Sequence, residues 1–596
     1  MTDTSPAPDE PSPEAATPLP ATLSRTAALR SLLALICSHA VAPYATARFT
    51  IRLLLDGKAE FLFGGAALAA IGAGAVLAYG QFVKQPRDRR TLYLSTLIIL
   101  WYVMAVVQLS IAVDSTIPRA LLTLLWGSGT IWVAWFVWAW SFFRGKGIAI
   151  GSVVVAAAAV MFWTLIDITG LTGDAAVEVA WRKRAPRVVP ELAAARRATL
   201  GAVTWGGYLG TERLGVTSLE LASDWQADPP SQQWRVDCGG GWSSFAATEQ
   251  TLFTQEQIDG HDCVTARQLS SGELIWVAAE SADGFRSGLG GDGPRATPAL
   301  RQQEGEPMSV LAIGPTGVLR RLDAATGDVV WEVDTGATFG GENLVHGVCG
   351  SPLIFHELCI VCPPAETGPC LAAFAIDDGR LVWQCDSDWR ASYASPVAMT
   401  IHGRDQIVVH AGQGVMAVDP NDGHTLWEFP WTNEWDNNAT QPLLLADSNE
   451  VLVATGYRGG AARLSFDTSA DAWQVTPKWE TRRTLRTKFC NMVVLADMVV
   501  SLDNGILCGV DSATGKQLWK NGRYGHGQLL QAGNGLLVVA EKGTLHLLQP
   551  DASGPQERGM IPALDRKTWN HPVLLGDRLV VRNDQEIVCL QLPSIK

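Results

Sequence analysis

No basic face is legible in the C-terminal two-thirds of this 596-residue chain, and the whole chain carries a net charge of −13. That balance argues against a nucleic-acid partner and reads most simply as solubility. The motifs of common catalysis are missing too. There is no Gly-x-Ser-x-Gly elbow, no His-Glu-x-x-His and no phosphate-binding loop. Without Cys-x-x-Cys-His, no c-type haem is attached. The glycine-rich piece Gly288–Gly293 lacks the strand–helix setting that phosphate binding needs, and reads as a connection between strands.

What the chain has instead is repetition. Six times an apolar residue and a small polar turn, mostly with Gly, lead to a Trp: Trp276, Trp331, Trp383, Trp427, Trp479 and Trp519. Leu322-Asp323-Ala324-Ala325-Thr326-Gly327 before Trp331 is the clearest copy, and Val510 to Trp519 nearly duplicates it. The copy before Trp479 carries an insertion. Asp-x-x-x-Gly is turn chemistry, because the Asp side chain bonds nearby amides and Gly accepts positive φ. The spacing of 40 to 55 residues between these Trp residues suits four short strands each.

A second motif runs out of phase: a small polar lead-in, then an apolar strand. Its eight copies are Trp242–Phe245, Ala296–Pro298, Gly350–Pro352, Ala394–Pro396, Thr440–Pro442, Phe489–Asn491, Gly527–Leu529 and Asn570–Pro572. Eight lead-ins predict eight blades. The strand around Trp234 is expected to complete the blade that holds the C-terminal strand Ile587–Leu590, closing a ring without free edges.

The first third differs in composition. Met1 to Leu23 is Pro/Ala-rich and acidic, with no cleavable signal visible, so residues 1–25 are expected to be a disordered tail. Apolar runs at 61–83, 92–113, 119–143 and 148–169 are each long enough to cross roughly 30 Å of hydrocarbon. Residues 26–47 form a weaker stretch, an interfacial helix or a fifth span. Residues 26–170 are therefore assigned to a membrane domain, 171–229 to a juxtamembrane linker and 230–596 to the repeats. The short basic loops Lys84–Arg90 and Arg144–Lys146 favour the cytoplasm, whereas Trp181–Arg184 and Arg187 pull the other way.

Ten of the eleven cysteines lie in the repeats, and Cys349, Cys359, Cys362 and Cys370 crowd one blade near His346 and His356. Zinc or two disulfides is one reading. In Cys359-Ile360-Val361-Cys362, however, a strand points the two sulfurs to opposite faces. The preferred reading is small buried hydrophobes, with at most one disulfide.

The repeats resemble the PQQ-like, quinoprotein-type β-propeller family, marked by Ala-x-Asp-x-x-x-Gly-x-x-x-Trp. Ala324, Gly327 and Trp331 match in one blade, and Gly515 and Trp519 in another. The resemblance covers about 230–596. Gly290–Pro298 and Gly522–Gln528 look like a membrane-anchored bacterial branch. It implies an all-β eight-bladed PQQ-like β-propeller preceded by an α-helical transmembrane domain, with each Trp docked flat between blades and the propeller outside a bacterial cell membrane.

The lead-ins should line a central channel mouth through Arg295, His346, Tyr393, Asn438, Lys488, His526 and Asn570. Family dehydrogenases hold PQQ with Ca²⁺ and often stack it against adjacent cysteines, a pair this chain lacks. Asp292, Glu342, Asn343, Asp436 and Asn437 could supply oxygens, but no spacing selects them. The expected role is a non-catalytic binding or scaffold module for a protein or small ligand, with a protein partner at the propeller face and no cofactor. The alternative is a PQQ-dependent alcohol or sugar dehydrogenase, using PQQ and Ca²⁺ and passing electrons to membrane quinone.

Overall fold

A computed structural model describes residues 166–171, 177–181 and 196–593, apart from 223, 281–282, 288–289, 365–367, 446–447 and 469–471. The spans expected at 61–83, 92–113 and 119–143, and the stretch 26–47, lie outside the described residues. Among the described residues no helix is long and apolar enough to cross a membrane. Where the fourth span was expected to end, Ile166–Leu171 is a strand paired antiparallel with Val177–Trp181. The alternation of Ile166-Asp167-Ile168-Thr169 suits a strand there.

Eight antiparallel sheets follow one another along the chain. Their inner strands are Ala246–Thr248, Ala299–Arg301, Leu353–Phe355, Val397–Ile401, Leu443–Leu445, Val493–Leu495, Gln528–Ala532 and Val573–Leu575. Every predicted lead-in stands at the head of one of them, so the eight blades predicted from the sequence are the eight observed. In each of blades 1 to 7 three further strands meander outward. Blade 8 takes its outermost strand from the other end of the propeller. Ser231–Asp237 pairs antiparallel with Glu586–Gln591, placing Trp234 opposite Cys589. The expected closure is therefore present.

The repeat motif is a blade-to-blade joint. Asp323 Oδ1 accepts the amides of Ala325 (2.8 Å) and Thr326 (2.9 Å), and Gly327 takes φ +79°. The Trp of the preceding blade lies on that turn. The Trp276 indole N–H donates to the Ala324 carbonyl at 3.1 Å, and a Cβ on Gly327 would sit 2.7 Å from its ring. The same joint recurs for Trp331 on Ile376 and Gly379, Trp383 on Pro420 and Gly423, and Trp479 on Ser512 and Gly515. Trp234 docks likewise on Leu269 and Gly272, carrying the joint from blade 8 to blade 1. Trp519 donates to the Asp551 carbonyl. Trp427 departs from the pattern. The insertion in blade 5 removes the glycine turn, and its indole donates to Gln406 Oε1 within its own blade and tilts onto Phe466.

The lead-in residues form a second joint nearer the axis. The Ser244 amide donates to Thr297 Oγ1, the Thr297 amide to Ser351 Oγ and the Ser351 amide to Ser395 Oγ, all at 2.9–3.0 Å. Ser244 Oγ donates to the His571 carbonyl at 2.6 Å, across the closure. A hydroxyl at this position thus satisfies a buried amide of the neighbouring blade. The ring has two faces, one carrying the lead-ins and the other the Asp-x-x-x-Gly turns.

Candidate functional site

The channel expected at the centre is filled by the chain itself. The stretch 171–229, read above as a linker, supplies Val203–Trp205, which pairs with the inner strand of blade 1. It also supplies Val216–Thr217, which pairs in parallel with the inner strand of blade 7. The segment between them bends on Leu209, Gly210, Arg213 and Gly215, all at positive φ. Both arms leave at the turn face, beside Thr248 and Ala532, and the bend reaches the lead-in level. The physical reason is backbone access: Gly207 and Gly215 pass so close to their neighbours that the hairpin fits between inner strands without side chains there.

Seven of the eight blades grip this hairpin. Besides the two strand pairings, the Gly206 carbonyl accepts from the Leu300 amide of blade 2 at 2.8 Å. Arg213 donates to the carbonyls of Pro352 (2.8 Å) and Ser351 (3.2 Å) on blade 3. The Arg213 carbonyl accepts from Gln441 Nε2 of blade 5 at 2.7 Å. A Cβ on Gly215 would lie 2.7 Å from Asn491 Nδ2 of blade 6. The Tyr208 ring meets His571 of blade 8 edge-on at 6.2 Å. Arg213 is only 6% exposed, and its recorded bonds go to carbonyls rather than to a carboxylate. Burial pulls its guanidinium down to about 10 and pushes the Tyr208 hydroxyl up to about 12.

The seven residues expected at the mouth separate into two groups. Asn438, His526 and Asn570 are buried. Asn438 Nδ2 donates to the Ala411 carbonyl (2.7 Å), and its Oδ1 accepts from Thr455 Oγ1 (2.8 Å). Asn570 Nδ2 donates to the Ser243 carbonyl at 2.7 Å, and the His526 amide to Glu541 Oε2 at 3.0 Å. These three tie strand ends together.

Arg295, His346, Tyr393 and Lys488 are half-buried. The first three come together: His346 and Tyr393 have ring centroids 5.3 Å apart, and Arg295 lies over Phe285 at 5.7 Å. Burial first, then the Arg295 charge, pulls the His346 imidazole down to about 4, so it is neutral near pH 7. Lys488 stands apart, over Tyr457 at 5.1 Å.

Sequence reasoning missed a second aromatic cluster on the same face. Trp569 lies 4.8 Å from Trp242 and 4.9 Å from Phe489, and Lys567 Nζ sits over both indoles at 5.0 and 4.3 Å. The available signal was position: Trp242, Phe489 and Trp569 each stand at or immediately before a lead-in. The lead-in face therefore carries the half-buried rings of Tyr393, Phe489 and Trp569 together with half-buried Arg295 and Lys488, whereas Trp242 and Lys567 are themselves buried.

The oxygen donors named for a cation are dispersed. Asp436 pairs with Arg390 at 2.5 Å, Asp292 Oδ1 accepts the Ser287 amide and Asn343 Nδ2 donates to the Pro315 carbonyl. Among the described residues no three His, Cys, Asp or Glu side chains converge as metal ligands.

The family model described as Outer membrane protein assembly factor BamB matches residues 262–484 and, in an overlapping second match, 371–592. The chain belongs to this PQQ-like propeller family. No curated protein matches it. Among solved structures, BamB from Moraxella catarrhalis is similar at 17% identity and TM-score 0.45, over 62% of this chain and 99% of that one. Quinohemoprotein alcohol dehydrogenase from Comamonas testosteroni is similar at 11% identity and TM-score 0.39, over 66% and 82%. Sqt1 of Saccharomyces cerevisiae is similar at 8% identity and TM-score 0.42, over 61% and 100%. PQQ-like family membership says which propeller this is, and the site must say what it does.

Proposed function

We propose that this PQQ-like propeller is a membrane-anchored, non-catalytic binding module that presents its lead-in face to a protein partner. One observation carries the reading: the hairpin 203–217 fills the channel, and aromatic and cationic groups surround its bend. The family's description as an outer-membrane assembly factor supports a scaffold role. The apolar runs that precede the strand at Ile166 are long enough to serve as the anchor, and the short basic loops at 84–90 and 144–146 favour a propeller outside a bacterial cell membrane. The residues present do not fit PQQ held by Ca²⁺. Tyr208, Leu209 and Arg213 occupy the axis at the lead-in level, and the oxygen donors are spread over separate connections.

The test uses the full chain in crosslinked native membranes. Partners captured by the wild type should be lost on Lys488→Glu with Trp569→Ala, both on the rim. They should be retained on Val330→Ser, an exposed position beside the turn face. Capture that survives the rim changes would remove the lead-in face from the reading. Alcohol-dependent dye reduction by protein supplied with PQQ and Ca²⁺ would overturn the non-catalytic reading itself.

A further inference from the structure

Of the ten cysteines in the described residues nine are buried and Cys349 is half-buried, and one buried pair has its sulfurs in contact. Cys370 Sγ and Cys385 Sγ lie 3.5 Å apart in blade 3, within S–H···S hydrogen-bond distance, and both are free thiols. Met416 Sδ of blade 4 lies 3.1 Å from Cys370 Sγ. Local pairing fixes the geometry. Ala372 is opposite Gln384 in the sheet, and the Cys385 amide donates to the Leu371 carbonyl at 3.0 Å, so Cys370 and Cys385 stand diagonally across the end of one ladder. Their surroundings are apolar: Leu371, Val409, Ala411 and Met416 belong to the same buried cluster. A disulfide is neutral and needs no further ligand in such a setting, and among the described residues no third His, Cys, Asp or Glu converges with the two sulfurs to hold a metal.

We propose that Cys370 and Cys385 form a reversible disulfide, closed by a hydroperoxide. Closing requires the sulfurs to move about 1.5 Å, toward a bond of roughly 2.05 Å, a distance that side-chain rotation can cover. The Cys385 sulfur attacks the peroxide O–O bond, giving a sulfenic acid and releasing water or an alcohol. The Cys370 thiol then attacks that sulfur, forming S–S and releasing water. Two thiols lose two electrons and two protons in all, and the peroxide gains them.

Cys385 suits the first role. The hydrogen bond with the Cys370 thiol, opposed by burial, pulls the Cys385 thiol down to about 7. Burial pushes the other thiols up, Cys359, Cys362 and Cys508 to about 12. The bond would also act on the lead-in face. Cys385 opens the connection that carries Trp389, Arg390 and Tyr393, and Trp389 and Tyr393 pack against the cluster that holds the sulfurs. Oxidation would therefore fix the base of that connection to blade 3.

The experiment takes the full chain, reduced and freed of reductant, treats it with hydrogen peroxide, unfolds it, alkylates it and maps peptides by mass. The expected product is a Cys370–Cys385 linked peptide 2 Da lighter than its reduced components, with nine of the eleven cysteines alkylated instead of all. Reductant should restore both thiols, and Cys385→Ser should leave Cys370 alkylated after the same treatment. Peroxide that oxidises Met416 or other cysteines while 370 and 385 remain alkylatable would overturn the proposal, as would links to other cysteines.

Discussion

A tryptophan and a glycine from different blades make up the working unit of this ring. Trp276 is 2% exposed, and its ring lies where a side chain on Gly327 would have to be. The sequence places Gly327 and Trp331 in one copy of the motif, yet each packs against a neighbour's copy. The motif thus spells half of two joints, and the identity of the docking residues was legible while their pairing was not. Trp276→Ala removes the indole and strands the Ala324 carbonyl. It should cost about 3–5 kcal/mol in denaturant unfolding, in the range of large-to-small core changes. Trp427 bonds within its own blade. Its replacement by Phe, which keeps the ring against Phe466, should cost less than half as much. Equal losses at the two positions would mean that the inter-blade bond contributes nothing beyond apolar burial.

At the scale of elements, the hairpin 203–217 separates what could be predicted from what could not. The blades were legible because four strands recur under two motifs with fixed offsets. The hairpin pairs through three residues on one arm and two on the other, too few for alternation to show, and its partners lie far along the chain. Gly215 tests its importance, because it combines φ +65° with a neighbour 2.7 Å from any Cβ. Gly215→Val adds backbone strain and overpacking, each on the order of 1–3 kcal/mol. The expected result is a lower unfolding midpoint together with faster amide exchange across 206–217. Unchanged exchange there would show that the hairpin does not depend on close approach at this point. The same hidden element separates the residues expected at the mouth: with the axis filled, Asn438 and Asn570 close strand ends, and Arg295, His346 and Tyr393 stand together at the lead-in face.

Across the whole molecule, buried imidazoles outnumber the groups that oppose them, and this sets the response to acid. His410 and His571 are fully enclosed, and each Nε2–H donates to a carbonyl, Trp431 and Leu529 respectively, at 2.8 Å. Burial is the largest cause in pulling both imidazoles, and that of His346, down to about 4 from the ordinary 6.5. Between those values the unfolded chain takes up protons that the folded chain refuses. These groups therefore stabilise the fold fully above pH 6.5, and the contribution is lost as pH falls toward 4. A shift of that size is worth on the order of 3 kcal/mol per fully buried group. Glu280 acts in the opposite sense. Burial outweighs its partner Arg320 and raises its carboxyl to about 7, so its effect lowers stability as pH rises from 4.5 to 7. Burial raises the Asp262 carboxyl too, and among the described residues three imidazoles against these two carboxyls leave a net loss on acidification. The melting temperature should therefore fall steadily from pH 6.5 to 4. His571→Gln keeps a donor for the Leu529 carbonyl and removes the titration, so it should flatten that slope by about a third. A variant that melts with the full wild-type slope would show that acid acts on this propeller through groups other than its enclosed histidines.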